Sequence, residues 1–228
     1  ITRPDLSPPI FFPLLHDSQR LSLSFGPRTP ILIANATIFV KVHMTFTHSI
    51  CVFCGSRSGN DPHFAQDARE TGAMIAKEGW RLVFGAGDIG LMGHVAQSAK
   101  DGGAPCFGVI PAHLVAREQG HHQKTSSIIT QDMHERKKVM FMNSDAVVVL
   151  AGGAGSLDEF FEILTWRHIG LHQRQIYLLN TNDYWQPLLN LLGHVVAQGF
   201  AEEHLLGFVT LVPDVARLRQ HLKAELKV

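Results

Sequence analysis

The sequence predicts a single α/β domain over residues 44–228, a parallel sheet with helices on both faces. Three observations carry this expectation. From Ser49 onward, short apolar runs alternate with longer amphipathic stretches, the pattern left by strands joined through crossover helices. No linker or composition break divides that region, and no internal repeat appears in it. Three of its strand-to-helix junctions are rich in glycine, and open parallel sheets bind ligands at the carboxyl ends of their strands.

Residues 1–43 lie outside this pattern. They carry Pro at positions 4, 8, 9, 13, 27 and 30 and follow neither a helical nor a strand period. The expectation is an unstructured extension, upstream of a working start at Met44. The apolar run 31–42 is broken by Asn35 and Lys41 and is shorter than the about 20 residues a bilayer span needs. The basic, apolar and small-residue order of a secretory signal is also missing. Within 44–228, strands are expected at 50–53, 81–84, 105–110, 127–130, 146–150, 175–179 and 208–212, each a short apolar run. Helices are expected near 62–78, 91–100, 133–143, 157–169, 184–197 and 214–226, each an amphipathic stretch between two such runs. For the helix at 157–169, Ser156-x-x-Glu159 spells a capping box at its start. Leu157, Phe160, Phe161 and Leu164 form its apolar stripe, which turns Glu159 and Glu162 toward the rim.

Composition narrows the function classes. The chain has 228 residues, 45% hydrophobic and 18% charged, which excludes a disordered solvating chain. Its 20 Lys and Arg balance its 20 Asp and Glu, so no global field favours nucleic acid or an anionic membrane, and an anionic ligand must be held locally. Three cysteines cannot build a disulfide framework and fit a reducing, cytoplasmic compartment. Cys51 and Cys54 spell C-x-x-C, but residues three apart on a strand face opposite ways, so they read as buried small hydrophobes. Among the 14 His, His168 and His172 have i, i+4 spacing and His121 adjoins His122, with no third ligand placed by sequence. They read as surface or partly buried imidazoles rather than a metal site.

The glycine junctions carry the chemistry. They are Cys54-Gly55-Ser56-Arg57-Ser58-Gly59, Gly85-Ala86-Gly87-Asp88-Ile89-Gly90 and Gly152-Gly153-Ala154-Gly155-Ser156. Glycine lets backbone N–H groups approach a phosphate, and the helix that follows offers its unpaired N–H groups and positive dipole end. Tight turns alone would explain one such loop. Three in one sheet favour a phosphate-bearing ligand, with Ser56, Gly85 and Gly87 among its contacts. Gly85, Gly87 and Gly90 fit G-x-G-x-x-G, but residues 104–116 lack the acid that would hold a ribose hydroxyl, which leaves NAD as an alternative. Gly155-Ser156 lacks the preceding Lys of a Walker A loop. A nucleoside monophosphate or a sugar phosphate remains.

Reactive groups sit near two of these junctions. Met133-His134-Glu135-Arg136-Lys137 opens the helix feeding the strand that ends at Leu150, and Asp158-Glu159 follows the third glycine loop. A carboxylate there could stabilise developing positive charge or activate water. Spacing alone favours the capping role for Glu159; a solvated basic face is the plain reading of Arg136 and Lys137, though two cations beside a phosphate site favour a functional one.

Taken together, Cys54-Gly55-Ser56 with residues 59–62, the run 85–93 ending in Gly-Leu-Met-Gly, the block 133–137 and Gly152-Gly153-x-Gly155-Ser156-x-x-Glu159 resemble the LONELY GUY (LOG) family. These are cytokinin riboside 5′-monophosphate phosphoribohydrolases, long labelled possible lysine decarboxylases. The resemblance runs from about residue 49 to about 213. It implies a Rossmann-like fold, a homodimer, no metal or organic cofactor, and hydrolysis of the bond between an N6-modified adenine and ribose 5-phosphate. By position it assigns catalysis to Arg136 and Glu159. Substrate contact falls to Lys137, to Gly152-Gly153-Ala154-Gly155-Ser156-Leu157-Asp158, to Glu118 and to Thr165. The chain departs from the family pattern at Ala151, Ser156, Asp158, Ala86 and Phe84, where Pro, Thr, Glu, Gly and Tyr are usual. An AMP nucleosidase with little cytokinin preference and a non-catalytic nucleotide-binding protein stay open as alternatives.

Overall fold

A computed structural model of the chain describes residues 31–33, 36–38, 46–115 and 126–228. It divides into two units, residues 1–43 and residues 44–228. In the first unit, β1 (Ile31–Ile33) pairs antiparallel with β2 (Ala36–Ile38). The remainder of the segment expected to be unstructured lies outside the described residues.

The second unit is a seven-stranded sheet in the order β6-β5-β4-β3-β7-β8-β9, parallel throughout. The chain enters at β3 (Ser49–Phe53), whose residues are all buried, as expected of a strand covered on both faces. It then passes through α1 (Pro62–Lys77), β4 (Arg81–Phe84), α2 (Gly90–Asp101), β5 (Cys106–Pro111) and the one-turn α3 (Ala112–Val115) to the edge strand β6 (Ser126–Thr130). From there α4 (Met133–Met142) carries it back to β7 (Ala146–Val149), which pairs with the other side of β3. The chain continues through α5 (Ala154–His168), β8 (Ile176–Leu179), α6 (Gln186–Ala197), β9 (Val209–Val212) and α7 (Val215–Leu226). The reversal between β3 and β7 is the topological switch point where such sheets open a crevice.

Each sheet face buries its own apolar layer. Ile50, Val52, Leu82 and Phe84 pack with Ala68 and Ile75 of α1, Val95 of α2 and Leu218 and Leu222 of α7. On the opposite face Cys51, Phe53, Val147 and Val149 pack with Met140 of α4, Phe160 and Ile163 of α5 and Leu188 and Leu192 of α6. Cys54 belongs to the first layer and Cys51 to the second, so the two thiols sit on opposite faces of the sheet. Burial pushes both thiols up, and it pushes the Cys106 thiol up to about 11.

Three helix starts show how local sequence sets the boundaries. Asp61 caps α1, its carboxylate accepting the His63 N–H at 2.9 Å, and Pro62 follows in the first turn, where its missing N–H costs nothing. Asp132 caps α4 by accepting the Glu135 N–H at 2.8 Å. The start of α5 departs from the expected capping box. Gly153 is its cap residue and the helix begins at Ala154, which places Ser156 inside the first turn without a capping bond. Phe161, expected in the apolar stripe of this helix, is 37% exposed. Helix α3, four residues long, is too short for any period to announce it.

Candidate active site

The first and third glycine loops meet at the switch point. The Gly55 N–H donates to the Ala151 carbonyl at 2.9 Å, extending the β3–β7 pairing into the loops. The Gly55 carbonyl in turn accepts the Leu91 and Met92 N–H groups at 3.1 and 3.3 Å, which ties the start of α2 to the first loop. Gly90, with φ +60°, lies so close to Ser56 that a Cβ would overlap the Ser56 backbone, so both conformation and space require glycine there. These junctions bound a cavity of about 720 Å³ at the carboxyl end of the sheet.

The sequence-predicted residues Ser56, Gly152, Gly153, Ala154, Gly155, Ser156, Arg136 and Glu159 all line this cavity. The N–H groups of Ala154, Gly155 and Ser156 precede the first intrahelical bond of α5, from the Leu157 N–H to the Gly153 carbonyl at 3.0 Å. A helix start of this kind is suited to an anion. Gly85 lies directly beneath Arg136. Gly87 faces a smaller hollow of about 270 Å³, lined also by Asp88, His94 and Lys100. Leu157, Asp158, Lys137 and Thr165 are not among the residues lining the large cavity, and Asp158 and Thr165 are exposed. Glu118 lies outside the described residues.

Arg136 is 6% exposed and is braced by backbone. Its Nε donates to the Val109 carbonyl at 3.1 Å and one Nη to the Gly85 carbonyl at 2.8 Å, so the carbonyls of β5 and of the β4 junction fix the guanidinium plane. The other Nη approaches Met133 Sδ at 3.7 Å. A Cβ at position 85 would overlap the guanidinium, so glycine there is required by close approach. A lysine could not make this two-point contact, because it lacks the planar fork.

Glu159 is 8% exposed, on the cavity wall rather than at the rim, which corrects the orientation expected from the stripe. The helix starts earlier than the capping box required, and Glu159 faces into the crevice one turn below the N-terminus. Burial pushes its carboxyl up to about 7; the Arg136 charge pulls it back toward the usual carboxylate range and Asp158 opposes that pull. It is therefore poised between protonation states near neutrality, as functional carboxylates often are.

Lys137 takes part in a cross-link between helices. Its Nζ donates to Asp158 at 2.8 Å and lies 2.5 Å from Glu162, with only 5% of the side chain exposed. Burial disfavours its charge, but the two carboxylates outweigh this and raise its pKa.

Sequence reasoning missed part of the wall. Phe64, Ile89, Leu91, Met92, Leu114 and Met133 give the cavity an apolar side, and Tyr184 closes it next to the third loop. The Tyr184 hydroxyl donates to the Gly152 carbonyl at 2.6 Å. Tyr184 lies in the junction after β8, the strand beside β7, so the carboxyl-end rule extended one strand further would have singled it out.

The comparisons with known proteins agree with this geometry. Residues 92–222 match the family described as "Possible lysine decarboxylase". A cytokinin riboside 5′-monophosphate phosphoribohydrolase of Rhodococcoides fascians is 43% identical over 168 residues, 73% of this chain and 85% of that protein. A cytokinin riboside 5′-monophosphate phosphoribohydrolase of Arabidopsis thaliana is 36% identical over 174 residues, 76% of this chain and 82% of that one. Among solved structures, the molybdenum cofactor carrier protein of Chlamydomonas reinhardtii superposes with a TM-score of 0.62 at 21% identity, covering 79% of this chain and 99% of that chain, a likeness of fold alone. With the resembling motifs gathered around one crevice and relatives of this identity over most of the chain, the protein belongs to the LOG family of phosphoribohydrolases, enzymes that hydrolyse N-glycosyl bonds.

Proposed function

We propose that the crevice hydrolyses the N-glycosidic bond of adenosine 5′-monophosphates, N6-modified ones included, to free base and ribose 5-phosphate, and so releases active cytokinin. The observation that carries this reading is the buried carboxylate of Glu159 on the wall of a cavity that opens at the N-terminus of α5. Cleavage of the bond sends its electron pair into the base and leaves oxocarbenium character on the ribose. A carboxylate beside the anomeric carbon stabilises that charge and orients the attacking water, whose hydroxyl joins the sugar while its proton goes toward the base. Arg136, held by two carbonyls, gives the cavity a fixed cation that steadies the ionised Glu159 and orients the sugar. The N–H groups of Ala154, Gly155 and Ser156 take the 5′-phosphate, and that remote contact is used to orient the reacting centre.

The apolar wall of Ile89, Leu91, Met92, Leu114 and Met133 supports acceptance of an apolar group on the adenine. We assign the activity to residues 44–228, with 1–43 as an extension to it. Exposed apolar side chains on and beside α4 and α5, Met142, Phe161 and Ile169, support a homodimer, and the three buried free thiols support a reducing, cytoplasmic setting. Incubation with AMP and with isopentenyladenosine monophosphate, followed by detection of free base and ribose 5-phosphate, tests the reading. Release of neither base would leave a nucleotide-binding protein. Equal rates on both would make this an AMP nucleosidase without cytokinin preference.

A further inference from the structure

We propose that Tyr184 is a positioning residue that clamps the phosphate-holding loop through the Gly152 carbonyl. The inference rests on the phosphate role given above to the start of α5 and goes one step further, to what holds that loop in shape. Gly152 and Gly153 form the most permissive dipeptide available, so no side chain of their own restricts the orientation of the peptide between them. In a trans peptide the carbonyl and the N–H point in opposite directions, and fixing the Gly152 carbonyl therefore fixes the direction of the Gly153 N–H. The Tyr184 hydroxyl, at 2.6 Å from that carbonyl, supplies the constraint.

The turn that presents Tyr184 is over-determined. Asn182 and Asp183 both hold positive φ, 49° and 59°, a conformation that L residues with side chains adopt at a cost. Four side-chain bonds keep it there. Thr181 Oγ1 donates to Asp67 at 2.5 Å and Asn182 Nδ2 to Asp61 at 2.7 Å, both on or at the start of α1. Asn180 accepts the Trp185 N–H at 2.8 Å and donates to Asp183 at 3.1 Å. The Tyr184 ring also meets Phe64 edge-on, at 5.2 Å between centroids, and the Phe64 ring packs on Gly59 of the first loop. One strained turn thus reaches both glycine loops that flank the switch point, and it meets the third loop through the bond to Gly152. Strain held by so many bonds marks a site where position matters.

Tyr184→Phe removes the hydroxyl and keeps the ring against Phe64. The test measures the KM for AMP and the inhibition constants of inorganic phosphate and of adenine, in the wild type and in this variant. Loss of one hydrogen bond that orders the phosphate site raises the AMP KM and the phosphate inhibition constant together, by about fivefold to tenfold. The adenine constant stays within about twofold and the melting temperature within about 2 °C, a split that a merely structural role would not produce. An unchanged phosphate constant, or phosphate and adenine constants that move by the same factor, overturns the clamp while leaving the phosphate role of the loop standing. A wild type that phosphate does not inhibit overturns the phosphate role itself, and the clamp with it.

Discussion

Glu159→Gln separates the cost of a buried carboxylate from the function it serves. Glu159 titrates near 7 in the folded chain against an ordinary 4.5. Between those two values the folded state keeps a proton that the unfolded chain has released, so stability falls as pH rises through this window, and the cost is complete above pH 7. A gap of this size, at about 1.4 kcal/mol per pKa unit, corresponds to about 3 kcal/mol, an order-of-magnitude figure appropriate to a side chain only 8% exposed. Glutamine has nearly the same shape and does not titrate. Urea unfolding of both proteins at about pH 5 and about pH 8.5 should show the variant gaining on the wild type by about 2–3 kcal/mol between the two conditions. Packing changes common to both pH values cancel in that difference. The variant should also lose turnover. A stability difference that stays constant across the range would refute the reasoning, because it would mean that Glu159 ionises normally inside the fold.

Other outcomes follow from the same geometry. If the ionised carboxylate is the working form, kcat/KM for AMP rises with pH and reaches half its plateau near the Glu159 value of about 7, as a pH–rate profile would show. Gly85→Ala places a methyl group on the Arg136 guanidinium and should lower turnover by about a hundredfold while the protein stays folded by circular dichroism. Ala86 holds φ 61°, where the related pattern has glycine; Ala86→Gly should relieve the left-handed strain and raise stability by up to about 1 kcal/mol in a denaturant titration.

The sheet was readable because its signals are local: a buried parallel strand writes itself as an apolar run, and a crossover helix as an amphipathic one. Every strand of the seven-stranded sheet falls within a residue or two of its expected position. The glycine junctions were readable for the same reason; the first and third meet at one crevice, while Gly87 of the second faces a separate hollow. What could not be read depended on partners distant in the sequence. The Ser156-x-x-Glu159 spacing satisfies a capping box, yet the two preceding glycines let α5 begin earlier, and the same spacing then turns Glu159 inward. Lys137 looked like a cation free for substrate because its partners, Asp158 and Glu162, lie on another helix. Tyr184 carries no motif of its own, and only its place in the junction after β8 points to it, since its contact with Gly152 exists because β8 lies beside β7.

The pairing of β3 with β7 also sets when the site comes into being. Ile50 aligns with Ala146, and between them the chain builds three other strands and their helices. Closing so long a loop is slow compared with forming the units on either side of it. During synthesis the wall carrying Ser56 is made well before the wall carrying Glu159, and neither alone encloses a ligand. A nucleotide bridging both walls binds only the closed state, so it should shift the folding equilibrium by mass action and shield the β3–β7 seam from proteolysis in proportion to its concentration.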